Sequence, residues 1–190
     1  MLVAEIDGHT INLRLDNPIE LLLRENALDP LHKLAQLGLR IGVVEAGHRL
    51  QVLDRLEFLQ RLAADSQEPF AVLMLDVDGL KQVNDARGHA AGDAVLKRVA
   101  SVLSSDLRET DLATRWGGDE FLLLMPGVDQ VGALSLARRI GGTLLNPDDP
   151  AGPISVSIGT AAFPADGTTA VSLLAAADRS MYVEKRQRVA

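Results

Sequence analysis

Two short acidic clusters carry the strongest chemical signal in the chain. One is Asp76 and Asp78 in Leu75-Asp76-Val77-Asp78-Gly79, and the other is Asp119 and Glu120 directly after Gly117-Gly118. Carboxylates within about 5 Å of each other repel by roughly 3 kcal/mol at an effective dielectric near 20, so bringing such clusters together calls for a cation. Hard oxygen donors suit Mg²⁺, which takes one or two carboxylates and keeps positions for substrate phosphates. Each cluster alone also has a plainer use: Asp78 can cap a short helix, and Gly117-Gly118 makes a good hairpin turn. The four histidines show no metal-ligand spacing, and the absence of cysteine excludes disulfides and thiolate metal sites.

The elements that must position these groups follow from periodicity. Residues 70–77 are apolar on both faces, the pattern of a central buried strand, and Asp76-Val77-Asp78 lies at its tip. A helix is expected over 89–107, then a short strand reaching Trp116, the Gly117-Gly118 turn and an apolar strand over 121–125, together a hairpin. Asp129 caps a helix reaching about Leu145, residues 154–163 form another strand, and a final helix runs over 170–186. Helices crossing between strands, with a central hairpin, imply an α+β sandwich on a mostly antiparallel sheet. Upstream, residues 1–16 read as a hairpin around Asp7-Gly8. Asn17-Pro18 and Asp29-Pro30 open two short helices, and a longer helix carries Leu53, Leu56, Leu59 and Ala63.

Composition narrows the function classes. The chain has 190 residues, 47% hydrophobic and 24% charged, enough for one well-cored domain plus an accessory segment. A net charge of −7 argues against a nucleic-acid polymer as main partner, since neutralising phosphates needs a basic face. No apolar run approaches the roughly 20 residues of a membrane span, so no membrane insertion is expected and a cytoplasmic setting is the default. No G-x-x-x-x-G-K-[ST] string occurs, which sets aside a P-loop GTPase.

The clusters also stand in a recognisable register. Arg115-Trp116-Gly117-Gly118-Asp119-Glu120-Phe121 is accompanied by Asp76-Val77-Asp78-Gly79-Leu80-Lys81, Asn84-Asp85, Gly88-His89 and Gly92-Asp93. Downstream come Ser157-Ile158-Gly159, Ala177-Asp178, Met181-Tyr182 and Lys185. Over roughly residues 55–188 this resembles the GGDEF family of diguanylate cyclases. The expected organisation is an accessory segment over 1–50, of no recognised family, and a GGDEF, nucleotidyl-cyclase-like domain over 51–190.

The resemblance implies an enzyme that condenses two GTP into cyclic di-GMP and two pyrophosphates as a homodimer, with residues 1–65 the candidate for promoting dimerisation. Asp76 and Asp119 would hold Mg²⁺, or Mn²⁺ in its place, with help from the Val77 carbonyl. Glu120 would assist the attacking 3′-hydroxyl or hold a second metal. Amides at Gly79 and Leu80 would cradle phosphates, as unpaired helix N-terminal donors can. Lys81 and Lys185 would neutralise phosphate charge, and Asn84 and Asp93 would read guanine, whose N1 and exocyclic amine donors match a carboxylate. Asn84 and Asp93 are equally common as caps, and Lys185 suits the last turn of any helix. Met181 and Tyr182 are expected in the core, and His89 as a loop-fixing residue. Arg108-Glu109-Thr110-Asp111 matches the R-x-x-D pattern of the family's inhibitory product site, with a surface salt bridge as the alternative use.

The chain departs from the family pattern in three places. Residues 47–55 keep little of the usual D-x-L-T-G-L-x-N-R stretch beyond Leu53-Asp54-Arg55, Leu80 replaces a usual phenylalanine, and Arg188 stands near the place of a Gly-Arg pair. These leave open a second reading: a weak or inactive GGDEF module that binds GTP or cyclic di-GMP and regulates a partner. A cyclase for adenine-containing dinucleotides is disfavoured by Asp93.

Overall fold

The computed structural model describes residues 2–6, 9–13, 49–66, 68–149 and 152–189. The chain divides into two compact units, Met1–Ile41 and Gly42–Ala190. In the first, β1 (Leu2–Ile6) and β2 (His9–Leu13) pair antiparallel with Ile6 opposite His9, as the alternation of Ile11 and Leu13 with polar residues implies. The two short helices expected after Asn17-Pro18 and Asp29-Pro30 lie outside the described residues.

The second unit runs α1 (Arg49–Ser66), β3 (Phe70–Val77), α2 (Leu80–Arg87), α3 (His89–Asp106), β4 (Leu112–Arg115), β5 (Glu120–Pro126), α4 (Gln130–Leu144), β6 (Val156–Phe163) and α5 (Ala170–Val189). Its sheet has the order β4-β5-β3-β6, and every pairing is antiparallel. All eight residues of β3 are buried because it is central and helices cover both faces.

The two faces follow the parity of β3. Ala71, Leu73, Leu75 and Val77 join Leu96, Val99, Val102 and Leu103 of α3 and Ala133, Leu136, Ile140 and Leu144 of α4 in one apolar cluster. Phe70, Val72, Met74 and Asp76 point the opposite way, as alternate strand residues must. There Phe70 stacks on its register partner Phe163 at 5.3 Å between centroids, a contact contributing about 0.5–1.5 kcal/mol beyond burial. α5 packs on this side against β6 and β3, and α1 packs against α5. Gln60 Oε1 of α1 accepts a hydrogen bond from Ala170 N at 3.0 Å, capping a donor in the first turn of α5.

Asp129 caps α4 as its sequence context implies, its side chain accepting from Gly132 N at 2.8 Å. Two expectations are corrected. The core stripe of α1 is Val52, Leu56, Leu59 and Ala63, with Leu53 only half-buried. Tyr182 is 59% exposed while Met181 is buried, because one step along a helix turns the side chain by about 100°.

Candidate active site

The site forms where β3 ends and β5 begins. Asp76 and Glu120 are direct register partners in the β3–β5 ladder, and Val77 N donates to Asp119 O at 3.0 Å beyond it. The two acidic clusters, 43 positions apart in sequence, therefore share one sheet end. Directly opposed residues project to the same face, so Asp76 and Glu120 lie on the side covered by α5. The hairpin holding Asp119 is closed by Trp116 N donating to Glu120 O at 2.8 Å and by Arg115 Nη2 donating to Gly118 O at 2.6 Å.

Asp76 is 6% exposed, and Lys185 Nζ of α5 donates to its Oδ1 at 2.7 Å. Burial pushes the Asp76 carboxyl above the usual carboxylate range; the Lys185 ammonium pulls it down, and the charges of Asp119 and Asp78 add to the rise. Lys185 in turn is raised, chiefly by its bond to Asp76. The two shifts agree in physical sense: the ion pair favours both charges, and for the more buried partner desolvation outweighs it.

Asp78 does not cap α2. Its carboxylate accepts from Ser155 Oγ at 2.6 Å and Ser157 Oγ at 2.8 Å, and its N–H donates to Ser155 O at 3.0 Å. The N-cap of α2 is instead Gly79, in the left-handed region at φ 73°, with no side-chain cap. The first amides of α2, from Leu80 onward, are thus without a side-chain cap beside the acidic end of the sheet, the arrangement that suits a phosphate. Lys81 is exposed on the first turn of the same helix.

Asn84 and Asp93 sit inside α2 and α3, so neither is a helix cap. The Asn84 amide lies against Gly92: a Cβ there would sit 2.0 Å from Asn84 Oδ1. Gly92 therefore lets the two helices bring Asn84 beside exposed Asp93. His89 opens α3, exposed.

Arg108 and Asp111 stand apart from this site, on the loop between α3 and β4. Asp111 is 3% exposed; its Oδ2 accepts from Arg108 N at 2.9 Å and lies 3.5 Å from Arg108 Nε. Burial raises the Asp111 carboxyl and Arg108 opposes the rise. Asp111 thus braces its own loop, and the Arg108 guanidinium, 61% exposed, is the group turned to solvent.

Sequence reasoning gave no role to Ser155, Ser157 or Glu184. Glu184 Oε2 accepts from Ile158 N of β6 at 2.9 Å, and Oε1 accepts from Arg188 Nη2 at 2.6 Å. Only the i,i+4 spacing of Glu184 and Arg188 was visible beforehand.

Among the described residues no group of three or more His, Cys, Asp or Glu side chains is gathered as a metal cage. The donor set nonetheless suits Mg²⁺, which needs only one or two carboxylates and completes its shell with water and phosphate. Burial is the main cause of the raised Asp76 carboxyl, and a cation would relieve the smaller part added by the charges of Asp119 and Asp78. A raised folded value means that Asp76 contributes stability below its unfolded pKa and loses that contribution as pH rises through the folded one. Cation binding needs the ionised form and runs the opposite way. If the site takes the GTP and Mg²⁺ that the sequence resemblance implies, the two together raise the melting temperature more than either alone, by an amount equivalent to about 2.7 kcal/mol at 100 times Kd. The gain shrinks as pH falls from neutrality into the raised carboxyl range, and Asp76→Ala abolishes it. Differential scanning fluorimetry across pH checks this, and a melting temperature indifferent to Mg·GTP at neutral pH contradicts it.

The domain is an α+β fold on an all-antiparallel sheet, with Asp76 and Glu120 paired at the sheet end beside the uncapped start of α2. The chain belongs to the GGDEF family: a family model described as "Diguanylate cyclase, GGDEF domain" matches residues 48–189. The bifunctional diguanylate cyclase/cyclic di-GMP phosphodiesterase MucR of Pseudomonas aeruginosa is 38% identical over 158 residues, 82% of this chain and 23% of MucR. Diguanylate cyclase TpbB of the same species is 41% identical over 138 residues, 70% of this chain and 32% of TpbB. The crystal structure of TpbB's GGDEF domain superposes with TM-score 0.69 at 38% identity, covering 76% of this chain and 91% of that one. The GGDEF domain of DgcB from Caulobacter crescentus, solved in complex with c-di-GMP, gives TM-score 0.67 at 26% identity over 76% of this chain and 84% of that one. The chain spans about a quarter to a third of the length of the curated relatives MucR and TpbB.

Proposed function

We propose that this domain is a diguanylate cyclase: it joins two GTP molecules into cyclic di-GMP, releasing two pyrophosphates, with Mg²⁺ or Mn²⁺ held by Asp76, Asp119 and the Val77 carbonyl. The observation that carries the proposal is the register pairing of Asp76 with Glu120 at the end of the sheet, next to the uncapped start of α2. When bound, the metal neutralises phosphate charge and polarises the phosphorus under attack. Gly79 and Leu80 amides hold phosphate oxygens, and Lys81 and Lys185 supply positive charge. Glu120 accepts the proton of an attacking 3′-hydroxyl as the new O3′–P bond forms and the bond from the α-phosphorus to pyrophosphate breaks. One site holds one GTP, so two domains face each other and the homodimer is the working unit. The setting proposed is the cytoplasm. Among the described residues no helix is long and apolar enough to cross a membrane.

Asn84 and Asp93 read the base. A site that pairs buried polar groups with specific donors rejects analogues lacking them by large factors, reaching about 10⁴. Asp93 stays exposed until guanine covers it, so a more modest factor is expected. Asp93→Ser raises KM for GTP and relaxes the rejection of ATP in steady-state kinetics. Equal GTP-over-ATP preference in wild type and variant moves base reading elsewhere.

Product inhibition is proposed at Arg108, whose guanidinium is presented to solvent by the loop that buried Asp111 braces. A fork onto guanine or phosphate is worth roughly 2 kcal/mol. Arg108→Ala therefore weakens cyclic di-GMP binding in calorimetry, and progress curves stay linear for longer. Equal binding by wild type and variant leaves Arg108 and Asp111 as a loop brace alone.

A further inference from the structure

We infer that Glu184 is a positioning residue for the phosphate-binding side of the site, acting with Arg188 as a clamp between α5, β6 and the β3–α2 turn. The inference rests on the cyclase proposal above.

β6 is an edge strand of its sheet. An edge N–H is ordinarily left to water, yet the Ile158 N–H is taken at 2.9 Å by Glu184 Oε2, a charge-assisted bond from a helix to a strand. The second carboxylate oxygen accepts from Arg188 Nη2 at 2.6 Å, and Arg188 Nη1 reaches Ser155 Oγ at 3.3 Å. A hydroxyl has one donor and two acceptor positions. Ser155 can therefore accept from Arg188 while donating to Asp78 Oδ2 at 2.6 Å. The chain of bonds thus runs from the edge of β6, through Glu184, Arg188 and Ser155, to Asp78, the residue before the Gly79 cap of α2.

Glu184 also precedes Lys185, whose Nζ lies 2.7 Å from Asp76 Oδ1. A lysine side chain is long and rich in rotamers, so the place of its ammonium depends on how firmly its backbone is held. Glu184 fixes that backbone against β6 at one end, while the Asp78 bonds fix the α2 cradle at the other. As an ion pair, Glu184–Arg188 is about one-third exposed on each side, and pairs of that kind contribute little stability. Its effect is geometric. Arg188, although partly exposed, is held by Glu184 and by Ser155, which itself donates to Asp78.

Steady-state kinetics of Glu184→Ala, Glu184→Gln and Glu184→Ala/Arg188→Met, with circular dichroism to confirm folding, test the clamp. Outer partners that orient a site typically contribute 10- to 100-fold, so Glu184→Ala is expected to raise KM for GTP about tenfold while kcat changes less than about threefold. Glu184→Gln keeps an oxygen for Ile158 N–H and loses the Arg188 pair, so it folds and shows a smaller rise. The double variant is no worse than Glu184→Ala, since both act through one chain of bonds. A merely structural role lowers the melting temperature and leaves KM alone. A folded Glu184→Gln and Glu184→Ala with wild-type KM overturn the clamp, and if Glu184→Ala fails to fold, Glu184→Gln decides. An active wild type with unchanged variants refutes the clamp alone, whereas a wild type that neither binds nor consumes GTP refutes the cyclase proposal and the clamp with it.

Discussion

Glu120→Gln is expected to bring cyclic di-GMP formation down by about 10²- to 10⁴-fold, the usual contribution of a positioned acid or base, while the fold survives. These two effects are separable because backbone groups hold the turn. What closes the hairpin turn is the Glu120 carbonyl, which accepts from Trp116 N and Gly117 N, and the Arg115 bonds to Gly118 O. An amide side chain leaves all of these in place. It removes the negative charge and the proton acceptor at the sheet end where Asp76 stands opposite. The substitution removes one negative charge beside buried Asp76 and leaves the bonds that hold the turn, so the apo fold is retained. Product chromatography and a thermal melt on the same preparation check both halves. Near-normal turnover by a folded Glu120→Gln protein removes Glu120 from the chemistry.

Gly159→Ala is expected to destabilise the domain by about 3 kcal/mol or more, above the usual range for overpacking. Gly159 lies in β6 opposite Met74, directly beneath α5. A Cβ there would sit 2.0 Å from Ala177 O, 2.2 Å from Met181 N and 2.8 Å from Met181 Cα. All three are backbone atoms of a helix, and no rotamer change moves them aside. α5 must lift from the sheet, and it carries Lys185 and Glu184 with it. For a domain of this size each kcal/mol shifts the midpoint by about 2–4 °C, so calorimetry is expected to show a fall of about 6–12 °C, with GTP use impaired at temperatures where the variant is still folded. A midpoint within about 2 °C of wild type contradicts the packing described here.

Much of this was legible beforehand because the signals are local. A six-residue apolar run, Phe70 to Leu75, followed at once by acidic residues can be a central strand that delivers charge to a sheet end, and β3 is that strand. Asp129 before an amphipathic stretch is a cap whose partner is three residues away. The hairpin bringing Asp119 to the site is written in Gly117-Gly118 between two strands. The contacts that escaped are those whose partners meet only through sheet register. Asp78 has the spacing of a helix cap and instead receives two serines from 77 and 79 positions away. Glu184 looks like a surface helix residue until β6 proves to be an edge strand presenting the Ile158 N–H to it. R-x-x-D at 108–111 is the same string whether its aspartate faces solvent or is buried, and in the fold Asp111 is buried.

Converging carboxylates beside an uncapped helix are proposed to make a site that joins two GTP molecules. Incubating the wild-type chain with radiolabelled GTP and Mg²⁺, and resolving products by chromatography over a range of protein concentrations, tests it most directly. Cyclic di-GMP and pyrophosphate are expected in a ratio of one to two, at a specific rate that climbs with protein concentration until dimerisation saturates. GTP recovered unchanged from folded protein at every concentration, with Mg²⁺ and with Mn²⁺, contradicts it.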